Sequence, residues 1–301
     1  MHAYTPEYVK DFKCIADRCR HSCCEGWAIG VDTDTVARHR ASEHPVSREL
    51  ISSLTTEEDG AYIECPSGRC PFLDSRGLCR IICEMGEDFI SDICNRHPRF
   101  FHRIKDRLEY GIGASCEEAA RLILSSDTYA SFITAEYGID DARSTEYDTL
   151  AHRKEIYAIL SSDAPHGEKL DAILAQYSIT DDMLLSEDVC DAVDSLELLD
   201  EAHMSILTAR GECPEWAELY SERFLAYLIF RHLSPSESDS DVRVAVALCL
   251  LLLRMLEGAL ARSRAHSLDY AIELARIISE EIEYSEDNTD ALRLSLFTQI
   301  I

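Results

Sequence analysis

Residues 12–27 read FKCIADRCRHSCCEGW, and this stretch contains four of the thirteen cysteines of the chain. Outward from it, the N-terminal part of the chain holds ten in all: Cys14, Cys19, Cys23, Cys24, Cys65, Cys70, Cys79, Cys83, Cys94 and Cys116. The short gaps in the first group suit loops that wrap a small centre. Clustered cysteines in a reducing compartment are typically metal ligands or catalytic groups. The sequence therefore predicts a thiol-rich centre in its first third.

The composition is that of a globular, strongly acidic protein. With 301 residues, of which 46% are hydrophobic, the chain can bury a core and form one or two domains. Its formal net charge is −27. This field repels phosphate backbones and anionic lipids, so we expect neither nucleic acid nor a membrane surface as a partner. A basic partner or a lysine-presenting substrate would be attracted.

The sequence also predicts a location. Its first residues lack the positive leader and apolar stretch of a secretory signal. The longest nearly uncharged run, residues 244–253, is short of the about 20 apolar residues that span a bilayer. We expect a cytoplasmic protein whose cysteines are not joined in disulfides, and we interpret residues 241–260 as a core helix of a bundle.

Short strands and helices are predicted between the cysteines. Alternation over residues 27–32 predicts a strand, residues 61–64 predict a second, and the two would pair as a small sheet. Residues 33–54 are predicted as a helix, with a polar N-cap at position 32 or 33. Residues 78–94 are predicted as another helix, which Pro98 would prevent from continuing.

The rest of the chain is predicted to be helical. Residues 1–13 are predicted as irregular, and from Cys116 onward helices with little else are expected. Their predicted ranges are 116–124, 145–160, 166–177, 187–208, 214–233, 241–263, 267–284 and 289–301. The predicted fold is mainly α. A cysteine-rich metal-binding region with short β-strands, residues 1–125, would pack on a C-terminal helical bundle, residues 126–301.

The cysteine pattern predicts a metal, but its spacing does not identify which one. Thiolates bind zinc and iron-sulfur clusters because soft, deprotonated sulfur matches these metals. The chain has neither the paired CxxC motifs of a zinc ribbon nor the CxxxCxxC motif of radical adenosylmethionine enzymes. Buried cysteines can also act as small apolar side chains, and we assign that role to Cys190, Cys213 and Cys249.

Residue identity around the cysteines indicates a family. Four ordered motifs within residues 12–124 closely resemble the flagellin lysine-N-methylases, which belong to a wider group of zinc- or iron-chelating domains with a CxxCxxCC-like signature. The motifs are FKCx4Cx3CCxGW from Phe12, CPFLDx2GLC from Cys70, Cx2HPR from Cys94 and SCx2AARL from Ser115. Residues 222–227, ERFLAY, add fainter support.

The resemblance implies a cysteine-bound iron-sulfur centre, 4Fe-4S or alternatively zinc, and methyl transfer from S-adenosylmethionine to lysine ε-amines of flagellin. Eight cysteines match the family positions: Cys14, Cys19, Cys23, Cys24, Cys70, Cys79, Cys94 and Cys116. Eight thiolates are too many for one four-iron cluster, so either four bind it and the others support it, or the site is larger. Cys65 and Cys83 look like additions of this chain. His97 stands where an aromatic residue is expected, and we interpret it as a polar neighbour rather than as an extra ligand.

Catalytic groups are not determined by the sequence. Methyl transfer needs a neutral lysine amine and an acceptor for its proton. The weak candidates are Glu25, Asp74, Tyr110, Glu222 and Tyr227, since a carboxylate in so acidic a chain is usually solvated surface. The chain has no glycine-rich cofactor loop, because residues 111–113 are too short a signal. The methyl donor therefore rests on resemblance alone.

Other functions remain open. The chain could be a non-enzymatic helical protein that uses zinc to brace an interaction surface. It could instead sense oxidants through the vicinal pair Cys23 and Cys24, which would change reversibly with no need of a methyl donor. A cysteine nucleophile activated by His21 is disfavoured, because residues so close in sequence seldom face each other in the required geometry.

Overall fold

The computed structural model describes residues 2–57, 60–136 and 142–301, without the side chains of residues 57 and 143. These residues divide into two units. The cysteine-rich unit comprises Lys13–Pro98, and the helical unit comprises the residues up to Phe12 together with Arg99–Ile301. Nine of the ten N-terminal cysteines lie in the cysteine-rich unit, while Cys116 belongs to the helical unit.

Helices account for most of the described secondary structure, so the prediction of a mainly α fold is confirmed. The strands are β1 (His2–Pro6), β2 (Ile29–Val31), β3 (Leu54–Glu57), β4 (Gly60–Ile63), β5 (Arg99–Ile104), β6 (Arg107–Ile112), β7 (Phe132–Glu136) and β8 (Arg143–Thr145). The helices are α1 (Thr33–Ala41), α2 (Pro45–Ser53), α3 (Arg80–Met85), α4 (Asp92–Arg96), α5 (Glu117–Ser125), α6 (Leu150–Leu160), α7 (His166–Tyr177), α8 (Asp181–Leu184), α9 (Glu187–Asp194), α10 (Met204–Leu207), α11 (Glu218–Leu233), α12 (Asp239–Arg262), α13 (Leu268–Ile278) and α14 (Glu286–Ile300). A π-helical turn, Ser279–Glu283, follows α13.

The small sheet of the cysteine-rich unit has the order β2-β4-β3. The predicted pairing of residues 27–32 with residues 61–64 is confirmed, since β2 runs antiparallel to β4 with Ile29 opposite Ile63. The helix predicted over residues 33–54 is instead two helices, because Pro45 begins α2 and supplies no backbone N–H to continue α1. The predicted N-cap is confirmed at Asp32, whose side chain accepts from the Thr35 N–H.

The helix predicted over residues 78–94 is also wrong in its length. Gly86 ends α3 with a φ of 95°, a conformation that favours glycine, and α4 begins only at Asp92. A 3₁₀ turn, Glu87–Phe89, lies between them. The break separates Cys79 and Cys83, at the start of α3 and within it, from Cys94 on α4.

The helical unit contains a five-stranded sheet that the sequence did not predict. Its order is β7-β1-β6-β5-β8, with β1 parallel to β6 and antiparallel to β7. The prediction that residues 1–13 are irregular is wrong, since they include β1. Beyond Cys116, where helices with little else were predicted, the described residues add the short strands β7 and β8. Strands of three to six residues carry little alternation, and β1 pairs with strands about a hundred residues away in sequence.

Two helices, α11 and α12, form the centre of the helical unit's core. Almost every residue from Val242 to Leu260 on α12 is buried. The helix is long and apolar enough to cross a membrane by composition, but 89% of its apolar window is buried inside the chain, as in the core helix that the sequence predicted. Gly258 permits close packing, because a Cβ there would lie 2.4 Å from the carbonyl oxygen of Ala209.

Candidate metal centre

Backbone hydrogen bonds join the first cysteine loop to the segment that follows β4. The Cys70 N–H donates to the Cys24 carbonyl at 2.8 Å, and the Gly26 N–H donates to the Gly68 carbonyl at the same distance. Both glycines have positive φ, 98° for Gly26 and 72° for Gly68, so the turns that make this contact favour glycine. The contact holds Cys24 beside Cys70.

A compact turn joins Cys70 to Cys79. Asp74 stabilises this turn, since its side chain accepts from the N–H groups of Arg76 at 2.8 Å and Leu78 at 3.0 Å. An isolated bridge pairs Leu73 with Cys79, next to the N-terminus of α3. The motif that begins at Cys70 is therefore a folded loop that returns its second cysteine toward its first.

Asp32 positions the helix that carries Cys94. Its carboxylate caps α1 by accepting from the Thr35 N–H at 2.8 Å, and it accepts from the Asp92 N–H at the start of α4 at 2.9 Å. Burial tends to raise the pKa of Asp32, but these hydrogen bonds outweigh it and leave the pKa below its usual value. One ionised carboxylate thus fixes two helix starts.

The cysteines lie at the edge of a small apolar core. That core consists of Ile29, Val31, Val36, Val46, Leu50, Ile63, Cys70, Phe72 and Ile81. Cys24, Cys65 and Cys79 pack against it from partly buried positions. Four cysteines therefore lie in or against one apolar cluster, where water is partly excluded and thiolate charge is costly without a counter-ion.

The thiols also influence one another's ionisation. Desolvation raises the pKa of Cys70 to about 12 and raises that of Cys65 and Cys79. It also raises the pKa of Cys94 to about 11, although Cys94 is exposed when measured over the whole residue. Negative charge on Cys24 raises all four further, which places these thiols within electrostatic reach of Cys24.

Cys24 differs from the other members of this group. Its pKa is lowered to about 7, chiefly by a hydrogen bond with Cys23, against an opposing effect of burial. A hydrogen bond with Ser22 acts in the same direction. Cys24 is thus the thiol that most readily supplies a negative charge near neutral pH.

We call Cys24, Cys65, Cys70, Cys79 and Cys94 the thiol group. Its members are mutually repulsive when ionised, and four of them border an apolar core. A thiophilic cation would remove that repulsion and match the soft sulfur donors, so the donor set fits a zinc ion or an iron-sulfur cluster. None of the thirteen cysteines, all of which the structure describes, forms a disulfide.

The predicted ligands divide into those that the structure brings together and those outside the group. Cys24, Cys70, Cys79 and Cys94 are together, with Cys23 hydrogen-bonded to Cys24. In the same unit, Cys14 is exposed and the Cys19 thiol donates to the His21 carbonyl at 3.0 Å. Cys116 is the N-cap residue of α5 in the helical unit.

Cys65 was interpreted from the sequence as an addition of this chain, outside the eight predicted ligands, and the structure places it in the thiol group. Its signal was its position directly after the strand predicted over residues 61–64, in the segment that leads to Cys70. Cys83 lies near Cys79, whose pKa its charge raises. His97 ends α4, and its N–H donates to the Ile93 carbonyl at 3.0 Å.

Tighter groups of ligand atoms occur in the helical unit. Within the described ranges, the atoms of His166, Cys213 and Glu257 lie within 4.8 Å of one another, as do those of His203, Glu280 and Glu281. At that spacing no comparable triplet of N-terminal sulfurs is found among the described residues. The sulfurs of the thiol group are therefore gathered more loosely than those of a closed site.

The weak catalytic candidates all make structural contacts. Glu25 lies 3.5 Å from Arg69 in an exposed ion pair, and Asp74 holds its own turn. Tyr110 is buried and stacks on Phe101.

The remaining two candidates belong to buried polar networks. The Tyr227 hydroxyl accepts from the Ala114 N–H at 3.0 Å and donates to Glu283 at 2.8 Å. Glu222 pairs with Lys169 at 3.0 Å. Burial opposes its ionisation, but His166 and Lys169 outweigh it and lower the pKa of Glu222.

Curated relatives match part of the chain. The flagellar biosynthetic protein FliU of Salmonella muenchen is 30% identical over 127 residues, which are 40% of this chain and 75% of that protein. The chain belongs to the FliU family. Proteins named lysine-N-methylase, from Salmonella choleraesuis strain SC-B67 and Salmonella typhimurium strain LT2, are 31% identical to this FliU-family chain over 127 residues. The chain spans about a third, 32%, of the length of each.

Two other comparisons give no match for this member of the FliU family. No protein-family model matches the chain, and no solved structure does.

Proposed function

We propose that this chain is a protein-lysine N-methyltransferase that uses S-adenosylmethionine and acts on flagellin. The proposal is carried by the similarity to proteins named lysine-N-methylase and FliU. The ordered cysteine motifs support it, because they resemble those of the flagellin lysine-N-methylases. We place the reaction in the cytoplasm.

The proposed metal centre is an iron-sulfur cluster held by the thiol group. Its ligands would come from Cys24, Cys70, Cys79 and Cys94, with Cys65 as a further donor that the thiol group makes available. When bound, such a cluster supplies thiolate-held iron whose potential depends on its surroundings. Cys14, Cys19, Cys23 and Cys116 remain predicted ligands or supports.

The reaction requires a neutral amine at the substrate lysine. The nitrogen lone pair attacks the methyl carbon, the N–C bond forms as the S–C bond breaks, and the amine proton leaves to a base or to water. A net charge of −27 attracts the cationic lysine side chain over a long range. That attraction accelerates encounter with basic segments of a substrate, while the proton acceptor stays unassigned.

Transfer of a labelled methyl group tests the activity. Anaerobically purified protein is incubated with methyl-labelled S-adenosylmethionine and unmethylated flagellin, and labelled lysines are mapped by mass spectrometry. We expect label on flagellin lysines, and its loss in Cys70→Ser. The matched control, Cys190→Ser, changes a partly exposed cysteine of the helical unit and should retain activity. Flagellin that stays unlabelled with metal-loaded protein would contradict the proposal.

Metal and sulfide analysis of the same preparation tests the centre. Iron together with acid-labile sulfide, both lost in Cys70→Ser and retained in Cys190→Ser, is the expected result. Zinc without iron or sulfide would replace the cluster by a structural zinc ion and favour a protein that braces an interaction surface.

A further inference from the structure

A second group of metal-binding side chains lies in the helical unit. His166 begins α7, Cys213 lies in the loop before α11, and Glu257 is on α12. One ring nitrogen, the sulfur and one carboxylate oxygen are all within 4.8 Å of one another. Cys213, interpreted from the sequence as an apolar side chain, therefore lies next to two polar groups that bind metals.

The imidazole of His166 is held between two carboxylates. Its Nε2 is 2.8 Å from Oε1 of Glu257, and its Nδ1 is 3.4 Å from Oε1 of Glu222. The exposed fractions of the three residues are 6% for His166, 0% for Glu257 and 6% for Glu222. A metal-binding histidine commonly donates its second ring N–H to a carboxylate, which fixes the orientation of the ring.

Further contacts fix the two carboxylates and the thiol. Lys169 donates to both oxygens of Glu222 at 3.0 and 3.1 Å, and Arg254 donates to Oε2 of Glu257 at 3.0 Å. The Arg254 contact leaves Oε1 of Glu257 facing the histidine. The sulfur of Cys213 is 3.2 Å from the Ser221 hydroxyl, which can donate a hydrogen bond to a thiolate.

We propose that His166, Cys213 and Glu257 form a binding site for a divalent transition-metal ion, with zinc as the best match. Nε2 of His166, Sγ of Cys213 and Oε1 of Glu257 are the ligands. Glu222 is a positioning residue that receives the Nδ1–H. Zinc accepts nitrogen, sulfur and oxygen donors together, and three protein ligands leave one position for water.

Two cations already offset the carboxylates of the cluster, since Lys169 pairs with Glu222 and Arg254 pairs with Glu257. A metal binds an unprotonated ring nitrogen and a thiolate, so binding of a divalent ion releases any proton that these two atoms carry. The protons that leave limit the net charge added to the buried site, and the ligand bonds offset the desolvation penalty of the ion.

Protection of Cys213 from alkylation tests the site in the unaltered chain. The 301-residue chain is treated with iodoacetamide after chelation, with and without added zinc, and each cysteine is followed by peptide mass spectrometry. We expect zinc to slow modification of Cys213 by about tenfold or more, because a metal-bound sulfur is a poor nucleophile. Cys190, partly exposed in the same unit, should react at an unchanged rate.

Variants connect that protection to the proposed ligands. His166→Gln should abolish the zinc protection of Cys213, and Cys213→Ser should remove one bound zinc per chain relative to Cys190→Ser. Circular dichroism checks that each variant is folded. Equal alkylation of Cys213 in wild-type protein with and without zinc would overturn the proposal, and the residues would then be a polar network only. Because Cys213 is read directly, zinc bound by the thiol group does not affect the result.

Discussion

The two units differ in what fills their interiors. The helical unit has an extensive apolar core in which α12 is buried along most of its length. The cysteine-rich unit has a core of nine buried apolar residues, and partly buried cysteines border it. So small a core contributes little stabilisation, and a metal bound by the neighbouring cysteines would add to it. The comparison indicates that apolar burial stabilises the helical unit, and that the cysteine-rich unit would gain stability from metal–thiolate bonds if the proposed centre is bound.

Their buried polar groups differ in the same way. The helical unit contains paired charges, such as Arg153 with Glu109 at 2.8 Å and Arg231 with Glu283 at 3.2 Å. These pairs compensate each other within the protein. In the cysteine-rich unit, the members of the thiol group all become negative when they ionise, so they raise one another's pKa. Buried charges of opposite sign are thus paired in the helical unit, whereas the thiol group brings together groups of one sign.

Metal removal should produce the largest difference in stability between the two units. Trp27 lies in the cysteine-rich unit and Trp216 in the helical unit, so Trp27→Phe and Trp216→Phe variants report the units individually. Chelation should abolish the unfolding transition reported by Trp27, since a structural metal contributes on the order of 10 kcal/mol. The transition reported by Trp216 should persist, because the apolar core of the helical unit remains, and it should shift only by the loss of the ion proposed at His166, Cys213 and Glu257. Fluorescence during urea unfolding measures this. A Trp27 transition that survives chelation would refute the role given to the metal.

A cavity in the helical core should destabilise the helical unit and leave the cysteine-rich unit unchanged. Leu252 on α12 is fully buried, so Leu252→Ala should lower the free energy of unfolding reported by Trp216 by about 3–4 kcal/mol. The transition reported by Trp27 should stay the same. Leu294→Ala is the matched control, because Leu294 is 69% exposed on α14 and its truncation should change stability by less than about 0.5 kcal/mol.

Acid should weaken the helical unit through Glu283. Burial raises the pKa of this carboxyl, but the Arg231 charge and the His232 hydrogen bond outweigh burial and lower it to about 2. A carboxyl with a lowered folded-state pKa stabilises the protein above its unfolded value of 4.5, and this contribution is lost as the pH falls toward 2.

We therefore expect Glu283→Gln to be less stable than wild type at pH 7 by up to about 3 kcal/mol. The difference should shrink between pH 4.5 and 2. Urea unfolding of both proteins across this range measures it, and a difference independent of pH would show that Glu283 is not ionised in the folded chain.

The smallest effect is expected at the N-cap of α1. Asp32→Ala removes the bonds to the N–H groups of Thr35 and Asp92, and it should destabilise the cysteine-rich unit by about 1–2 kcal/mol. Asp34→Ala, in the same helical turn, should cost less than about 0.5 kcal/mol. Metal-loaded protein is used, with Trp27 as the reporter. Equal effects of the two substitutions would mean that Asp32 does not hold α4 in place.

Local signals were sufficient for most helices and for the small sheet. Residues 166–177 were predicted as a helix and form α7, and Asp32 caps α1 as its side chain allows. The segments that became β2 and β4 alternate strongly enough to be recognised, and they pair as predicted. Local sequence did not reveal the breaks at Pro45 and Gly86, although both residue types commonly start or end helices.

Long-range partners were beyond reach of the sequence. Strand β1 pairs with β6 and β7, whose residues are more than a hundred positions away. A strand of five residues shows too little alternation to predict either the strand or its partners. The same limit applies to Cys65 and Cys213. The side chains that lie near each cysteine come from distant positions in the sequence: other thiols near Cys65, and His166 and Glu257 near Cys213. The sequence therefore did not show which groups each cysteine would contact.

The sequence by itself determined the mainly α class, the acidity and the presence of a thiol-rich N-terminal segment, because these depend on composition, local periodicity and residue identity. Only the tertiary structure decided that Cys24, Cys65, Cys70, Cys79 and Cys94 influence one another. The physical reason is that thiol ionisation depends on burial and on charges brought close by turns and hydrogen bonds between loops, which no spacing along the chain records.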